Sequence, residues 1–209
     1  MTEAVSRVAR KRAIKRAALI EVARRALAEG RASISIQELT DEADMGFGSF
    51  YTHFPDKETL FETAIVETME MHGTLFDQLA EGLTGVDALA LGVRLTCRLQ
   101  PLHPEVIRLV LTLGTSTLLR EEGLVPRLRR DLQQGFEDGS FSGWDTDRAL
   151  VAVAGAILGT LQMLDVNPHL DAPAIADDLC LHLLQMLGVP RETAREHALA
   201  PLPHHDVLS

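Results

Sequence analysis

The sequence predicts an all-α fold, and three observations predict it. Apolar residues recur at helical spacing along most of the 209 residues. Aromatic residues make up only 4% while Ala and Leu dominate, and strands favour aromatic and β-branched types. Clusters of Gly, Pro, Asn and Asp cut the chain into pieces of helix length. No run alternates with the period of a strand, and no internal repeat stands out.

The first predicted helix covers 11–29, with Leu19, Val22, Ala23, Ala26 and Leu27 on one stripe and Gly30 as its stop. Ser35 and Glu38 then have the spacing of a capping box, opening a helix that carries Ile36, Leu39 and Ala43 on one side. Asp44-Met45-Gly46 breaks it after about two turns. A short helix from Phe47 to Phe54 follows, with Phe50 and Phe54 on one face. Pro55 forbids its continuation, and Asp56 can cap a helix with Leu60, Phe61, Ala64, Ile65 and Thr68 as its stripe. Further helices are predicted at 57–81, 86–100, 104–119, 122–138, 146–165 and 172–187, with a short piece at 191–198. The breaks include Gly82-Leu83-Thr84-Gly85, His103-Pro104, Gly123, Asp138-Gly139-Ser140, Asn167-Pro168 and Gly188-Val189-Pro190.

Apolar residues at 46% and charged residues at 24% place the chain in the globular class. Two cysteines rule out a disulfide scaffold and suit a reducing compartment. No segment has 18 uninterrupted apolar residues, so no transmembrane helix is expected, and the N-terminus lacks the apolar core of a signal peptide. The expectation is a cytoplasmic protein. The net charge of −10 would argue against a nucleic-acid partner, but it is unevenly spread. Residues 1–25 hold eight Lys/Arg against two Glu, a net of +6, whereas 61–209 carry a net of −11. A basic head sits on an acidic body.

Two short helices joined by a tight turn and braced by a preceding helix form a helix-turn-helix, whose second helix can enter the major groove of DNA. Leu39, Ala43, Met45, Phe50 and Phe54 would hold it from inside. Phe47, Gly48, Ser49, Thr52 and His53 would face outward, although Phe47 fits a core position equally well. Five of the nine aromatic residues fall between Phe47 and Phe61.

The stretch 35–61, SIQELTDEADMGFGSFYTHFPDKETLF, closely resembles the DNA-binding segment of TetR/AcrR-type transcriptional regulators. The resemblance extends more loosely to LIEVARRALAEG in the first helix. Beyond residue 60 it rests on helix order and on stretches such as LRRDLQQGFEDGSF, VAGAILGTLQML and LLQMLGV. It implies that Tyr51, His53 and Lys57 contact phosphates, that Ser49 meets phosphate or a base edge, and that Thr52 and Phe47 tune sequence choice. The sequence departs from the family pattern at Gly46, where a Ser cap is usual, at Asp44, where Gly is usual, and at Leu27, where an aromatic residue is common. Asp44 would lie near phosphate and repel it slightly.

Arg7, Arg10, Lys11, Arg12, Lys15 and Arg16 form a basic start. Alone such a run reads as a solvated helical face; beside a helix-turn-helix, several of these residues, Arg12 and Arg16 among them, are expected to approach the DNA backbone or minor groove. The resulting division is a helix-turn-helix DNA-binding domain at 7–66 (motif about 35–54), a larger helical effector-binding and dimerisation domain at 67–199, and a tail at 200–209.

From Ala149 to Leu164 the chain is almost unbroken Ala, Val, Leu and Ile, with Gly155 and Gly159 four apart. Thr160 and Gln162 within it, and Asp147, Arg148 and Asp165 around it, argue against a membrane helix. Val151, Gly155, Leu158 and Gly159, with Ile175, Leu179, Leu183 and Met186 of the next helix, could form half of a two-fold four-helix interface or an ordinary internal hairpin. Two-fold DNA sites and the resemblance favour a homodimer. Polar residues stranded among apolar ones, namely Arg94, Cys97, Arg98, Arg108 and Gln162, together with His72, are the candidates for binding a small-molecule effector. The helix beginning near Lys57 would serve both domains, holding the recognition helix through Phe54 and Phe61 and reaching the cavity near His72 and Phe76.

An enzyme reading finds little support. A di-iron bundle needs paired Glu-x-x-His motifs, and Glu70-Met71-His72 and Asp178 with His182 have the wrong spacing or no second copy. There is no phosphate loop, G-x-S-x-G or H-E-x-x-H, and His204-His205 is too short for a metal site. Neither a metal nor a cofactor is expected. A dimeric interaction module without DNA binding remains the other reading, and it would leave the basic arm and Tyr51, His53 and Lys57 without a role. The sequence thus points to a ligand-responsive regulator, foremost a repressor released from a palindromic double-stranded operator by a small molecule.

Overall fold

A computed structural model describes residues 2–83, 85–114 and 123–202. Parts of the expected helices at 104–119 and 122–138, Thr84, and the tail with His204-His205 lie outside the described residues. The described residues form ten helices and no strand. They divide into two compact units, Met1–Thr68 and Met69–Ser209.

The first unit contains α1 (Thr2–Ala28), α2 (Ile36–Glu42), α3 (Phe47–Phe50) and the first half of α4 (Lys57–Leu79). Helix α1 begins nine residues earlier than its apolar stripe suggests. Ala9 and Arg10, just ahead of the expected start, are exposed and contribute to no apolar stripe. The stripe itself is buried: Leu19, Val22, Ala23, Ala26 and Leu27 are all in the core. Gly30, at φ 72°, ends α1 in the left-handed conformation that glycine adopts without steric penalty. The capping box opening α2 has both of its bonds, from Glu38 N–H to Ser35 Oγ at 3.2 Å and from Ser35 N–H to Glu38 Oε2 at 2.9 Å. The turn after α2 places Asp44 at φ 51°. Although α3 is short, Phe54 N–H donates to the Phe50 carbonyl at 3.0 Å, so helical bonding reaches Phe54. Phe50 and Phe54 are buried with Leu39, Met45 and Leu60, which fixes this turn from below.

The second unit contains the rest of α4, then α5 (Val86–Leu102), α6 (Pro104–Leu113), α7 (Leu124–Glu137), α8 (Thr146–Val166), α9 (Ala172–Met186) and α10 (Arg191–Leu199). Helix α5 packs on α9, α8 and α7, and α10 packs on α9. Leu89, Val93, Leu132, Leu150, Val153, Leu184 and Leu187 form the main core. Gly135 is needed there, because a Cβ on it would overlap the buried Phe141 ring.

By length and composition alone α8 could cross a membrane, a property hidden from a criterion of uninterrupted apolar residues. It packs instead against α7, α5 and α6 on one side, and only a third of its most apolar window is buried, 33%.

Candidate DNA interface and effector cavity

The first unit presents one outward surface at its recognition turn. Phe47 is 46% exposed and Tyr51 54% exposed, while Phe50 beneath them is fully buried. This decides between the two readings of Phe47 in favour of the surface. The Tyr51 ring stands edge-on to Phe47 and Phe50, with centroids 5.9 and 5.4 Å away, so the core orients it. Gly48 and Thr52 are exposed, and Ser49 and His53 are half-buried. The Thr52 hydroxyl donates to the Ser49 carbonyl at 2.6 Å, which leaves its methyl and its oxygen lone pairs for contacts from outside.

The basic residues of α1 are partly tied to this turn. Arg12 Nη2 donates to the Thr52 carbonyl at 2.9 Å. Arg16 sits over the Phe54 ring at 5.2 Å and pairs with Glu67 at 2.9 Å. Burial, and then the charges of Arg12, Lys15 and Arg16, hold the His53 imidazole below its ordinary pKa. Its buried Nδ1 has no hydrogen-bond partner within the described residues. Lys57 Nζ donates to the carbonyls of Ala32 and Ile34, each at 3.1 Å, and so ties the α1–α2 connection to the start of α4. An ammonium has three N–H donors, so this anchoring leaves capacity for a phosphate.

The second unit contains a cavity of ≈ 120 Å³ lined by α4, α5, α6, α7 and α8. Phe76, Leu91, Leu99, Ile107 and Leu161 make most of it apolar, and these residues form one buried cluster. One corner is polar, built from Asp77 of α4 and from Arg127, Arg130 and Asp131 of α7. Asp77 Oδ2 accepts from Arg127 Nε at 2.7 Å and Oδ1 from Arg130 Nη1 at 2.8 Å. Burial opposes ionisation of Asp77, but bonds from Arg130 and Arg127 hold its pKa below the ordinary value. Burial dominates at Asp131 and raises its pKa despite the neighbouring Arg130.

Of the effector contacts expected from the sequence, His72 alone lines this cavity. The others are corrected by their partners. Arg94 and Arg98 turn to Asp177 of α9, at 2.7 and 2.8 Å, and Arg94 also caps α10 through the Ala200 carbonyl at 2.7 Å. Cys97 packs with Leu164, Ala172 and Ala176, and burial pushes its thiol pKa up to about 12. Arg108 pairs with Asp165 at the surface, and Gln162 is exposed. Ion pairs or solvent thus satisfy the arginines and the glutamine that look stranded in the sequence, and Cys97 is a core residue. The polar corner, Asp77 with Arg127, Arg130 and Asp131, was not among the expected contacts. Its signal in the sequence is the i, i+3, i+4 spacing on α7, which puts all three of that helix's residues on one face.

The expected interface residues also separate. Val151 is 58% exposed, and a Cβ added at Gly155 or Gly159 would meet nothing within 4 Å. Leu158 lines the cavity and Leu183 is in the main core, so both face inward, contrary to the expectation from sequence. Ile175 and Leu179 pack partly against the Cys97 cluster, and Met186 partly against the main core.

Comparison with known proteins gives these surfaces a context. The profile described as bacterial regulatory proteins, tetR family, matches residues 19–64, and that described as tetracyclin repressor-like, C-terminal domain, matches 86–199. The crystal structure of RolR in complex with resorcinol is 32% identical, with a TM-score of 0.75, covering 94% of this chain and 98% of RolR. RolR without ligand gives 30% identity and a TM-score of 0.72 over 90% of this chain and 98% of RolR. The regulator FadR from Bacillus subtilis, in complex with stearoyl-CoA, shares the fold at 20% identity and a TM-score of 0.63, over 81% of this chain and 96% of FadR. A search of curated protein sequences finds no match. With both halves of the chain matched, and a solved relative aligned over nearly its whole length, the chain belongs to the TetR family of DNA-binding transcriptional regulators.

Proposed function

We propose that this regulator is a repressor that binds a near-palindromic operator as a homodimer and is released by a compact, hydroxylated ring bound in the cavity. DNA binding would reside in residues 7–66 and effector binding and dimerisation in 67–199, with 200–209 as a tail. It works in the cytoplasm beside its operator, and not as an enzyme or in a membrane.

The observation that carries the DNA half is the exposed set Phe47, Tyr51 and Thr52 on a turn anchored by buried Phe50 and Phe54. Outward groups on a fixed turn can read base edges, and the basic face of α1 adds backbone attraction. Phe47 and the Thr52 methyl suit a thymine methyl. Tyr51, Ser49, His53 and Lys57 suit phosphate, with Arg12 and Arg16 beside them.

Size carries the effector half. A cavity of ≈ 120 Å³ is near the ~150 Å³ that admits benzene when lined by apolar side chains. The resorcinol of RolR is a single ring with two hydroxyls, and the polar corner here offers acceptors and donors for such groups.

The decisive experiment is a gel shift on the DNA upstream of the protein's own coding region, with and without resorcinol. Tyr51→Phe should weaken binding to all sequences alike, whereas substitutions at Phe47 or Thr52 should change which sequences are preferred. Absence of a specific shift, or a shift untouched by Phe47→Ala and Thr52→Ala, overturns the DNA reading. By linkage, operator must weaken effector binding as much as effector weakens operator binding.

A further inference from the structure

The polar corner of the cavity also joins two helices. Arg127 of α7 grips α4 at Glu70 and Asp77, seven residues and about two helical turns apart. Its Nε donates to Asp77 Oδ2 at 2.7 Å, and its Nη2 to Glu70 Oε1 at 2.8 Å. Its Nη1 donates to the Gly123 carbonyl at 2.6 Å, while the Gly123 N–H donates to Glu70 Oε2 at 3.0 Å. The guanidinium lies directly against α4 because position 73 is glycine. A Cβ there would fall 2.8 Å from Nε of Arg127 and closer still to Nη1 and Cζ.

An exposed ion pair contributes little, but this arginine side chain is only 18% exposed and is held at several points in fixed geometry. The two carboxylates differ in one respect. Asp77 lines the cavity, whereas Glu70 and Gly73 do not. A molecule in the cavity therefore reaches one end of the grip and not the other.

On the premise that the cavity takes the effector, we propose that Arg127 is a clasp: its double hold on Glu70 and Asp77 keeps α4 set for operator binding, and the effector opens it by taking Asp77 Oδ2. A ring hydroxyl donating to that oxygen replaces Arg127 Nε and leaves the arginine with Glu70. Asp77 is not stranded, because Arg130 Nη1 still donates to Oδ1 at 2.8 Å. The hold on α4 changes from two points to one. Since α4 is one uninterrupted helix from Lys57 to Leu79, what holds its second half bears on its first, which carries Lys57 and Leu60 of the helix-turn-helix unit.

Glu70→Gln weakens the outer hold without touching the cavity lining, and Gly73→Ala displaces the guanidinium of Arg127, itself a lining group, while keeping every charge. Operator affinity is read by fluorescence anisotropy on the upstream DNA, and resorcinol affinity by calorimetry. Both variants should bind operator about tenfold more weakly without ligand, and Glu70→Gln should bind resorcinol more tightly by up to the same factor, since one equilibrium governs both. A merely structural role would not tighten resorcinol. Operator affinity within about twofold of the parent, or a parallel loss of both affinities in Glu70→Gln, overturns the clasp. Should Gly73→Ala fail to fold, Glu70→Gln decides, because that side chain is 49% exposed. Should resorcinol not bind the unaltered protein, the ring-shaped effector is in error, and operator affinity of Glu70→Gln alone decides the clasp.

Discussion

Arg12 of α1 donates from Nη2 to the carbonyl oxygen of Thr52 at 2.9 Å, a bond that spans forty residues of sequence and closes the end of the recognition turn. A basic residue in such a place both positions the turn and adds charge. Lys11, exposed on the same helix, can act through its charge alone. Lys11→Ala should flatten the dependence of operator affinity on salt by about 0.9 in log–log slope, and its effect should fade at high salt. Arg12→Ala should also cost about 1 kcal/mol that persists at high salt, from the lost bond to the turn. A salt titration of both variants separates them. Identical loss at high salt would mean that the Arg12 bond positions nothing.

His53 gives the same surface a pH dependence. Burial, then Arg12, Lys15 and Arg16, lower its pKa, so the folded unit prefers the neutral ring. Unfolded chain therefore binds more protons between the folded value and the ordinary one of about 6.5. The stabilising contribution is complete above that ordinary value and is lost as pH falls through the window below it. Operator phosphates would oppose the cationic neighbours and favour the imidazolium. Binding should then take up protons below the ordinary value of about 6.5, and operator affinity should rise on acidification while unliganded stability falls. His53→Gln should remove both trends, as followed by anisotropy and by urea melts.

Asp44 sits at φ 51°, where a side chain is disfavoured, and it is exposed. The left-handed region costs an ordinary residue roughly 1–2 kcal/mol and an aspartate less. Asp44→Gly should raise the urea stability of the protein by about 0.5–1 kcal/mol after the added freedom of the unfolded chain is counted. It also removes a negative charge near the proposed phosphate contacts, so operator affinity should rise most at low salt. Unchanged stability would show that the aspartate is already unstrained there.

This turn also shows what was legible in the sequence. The helix-turn-helix could be read because each of its parts has a local signature: the Ser35–Glu38 box, the break at Asp44-Met45-Gly46, and phenylalanines four apart. The departure at Asp44 marked the left-handed position itself. The cavity could not be read in that way. Arg94 and Arg98 meet Asp177 across 83 and 79 residues, and only the packing of α5 on α9 turns their charges away from the cavity. Asp77 and Arg127 are fifty residues apart, so neither looks unusual until α4 and α7 are adjacent. Ala9 and Arg10, where α1 already runs ahead of its expected start, are exposed and so contribute to no apolar stripe.

The outward face of α8 yields the last prediction. Val151, Gly155, Gly159, Met163 and Val166 are all exposed, at near-helical intervals, on the helix that among the described residues is long and apolar enough to cross a membrane. A Cβ at Gly155 or Gly159 would meet nothing within 4 Å, so packing within the protomer gives no reason for glycine at either place. Each glycine in a helix interior instead costs about 1 kcal/mol relative to alanine. Close approach of a second helix is what small residues permit, and a two-fold partner would supply that helix. Gly155→Leu and Gly159→Leu together should therefore leave the protomer folded, with a helix at least as stable as before. They should also hold off the partner: sedimentation at micromolar concentration should show a monomer in place of a dimer. Operator affinity should fall toward that of a single half-site, while resorcinol binding in the cavity persists. A double variant that still sediments as a dimer would place the interface elsewhere, and a parent protein that is a monomer yet binds the full operator would remove the dimer from the proposed function.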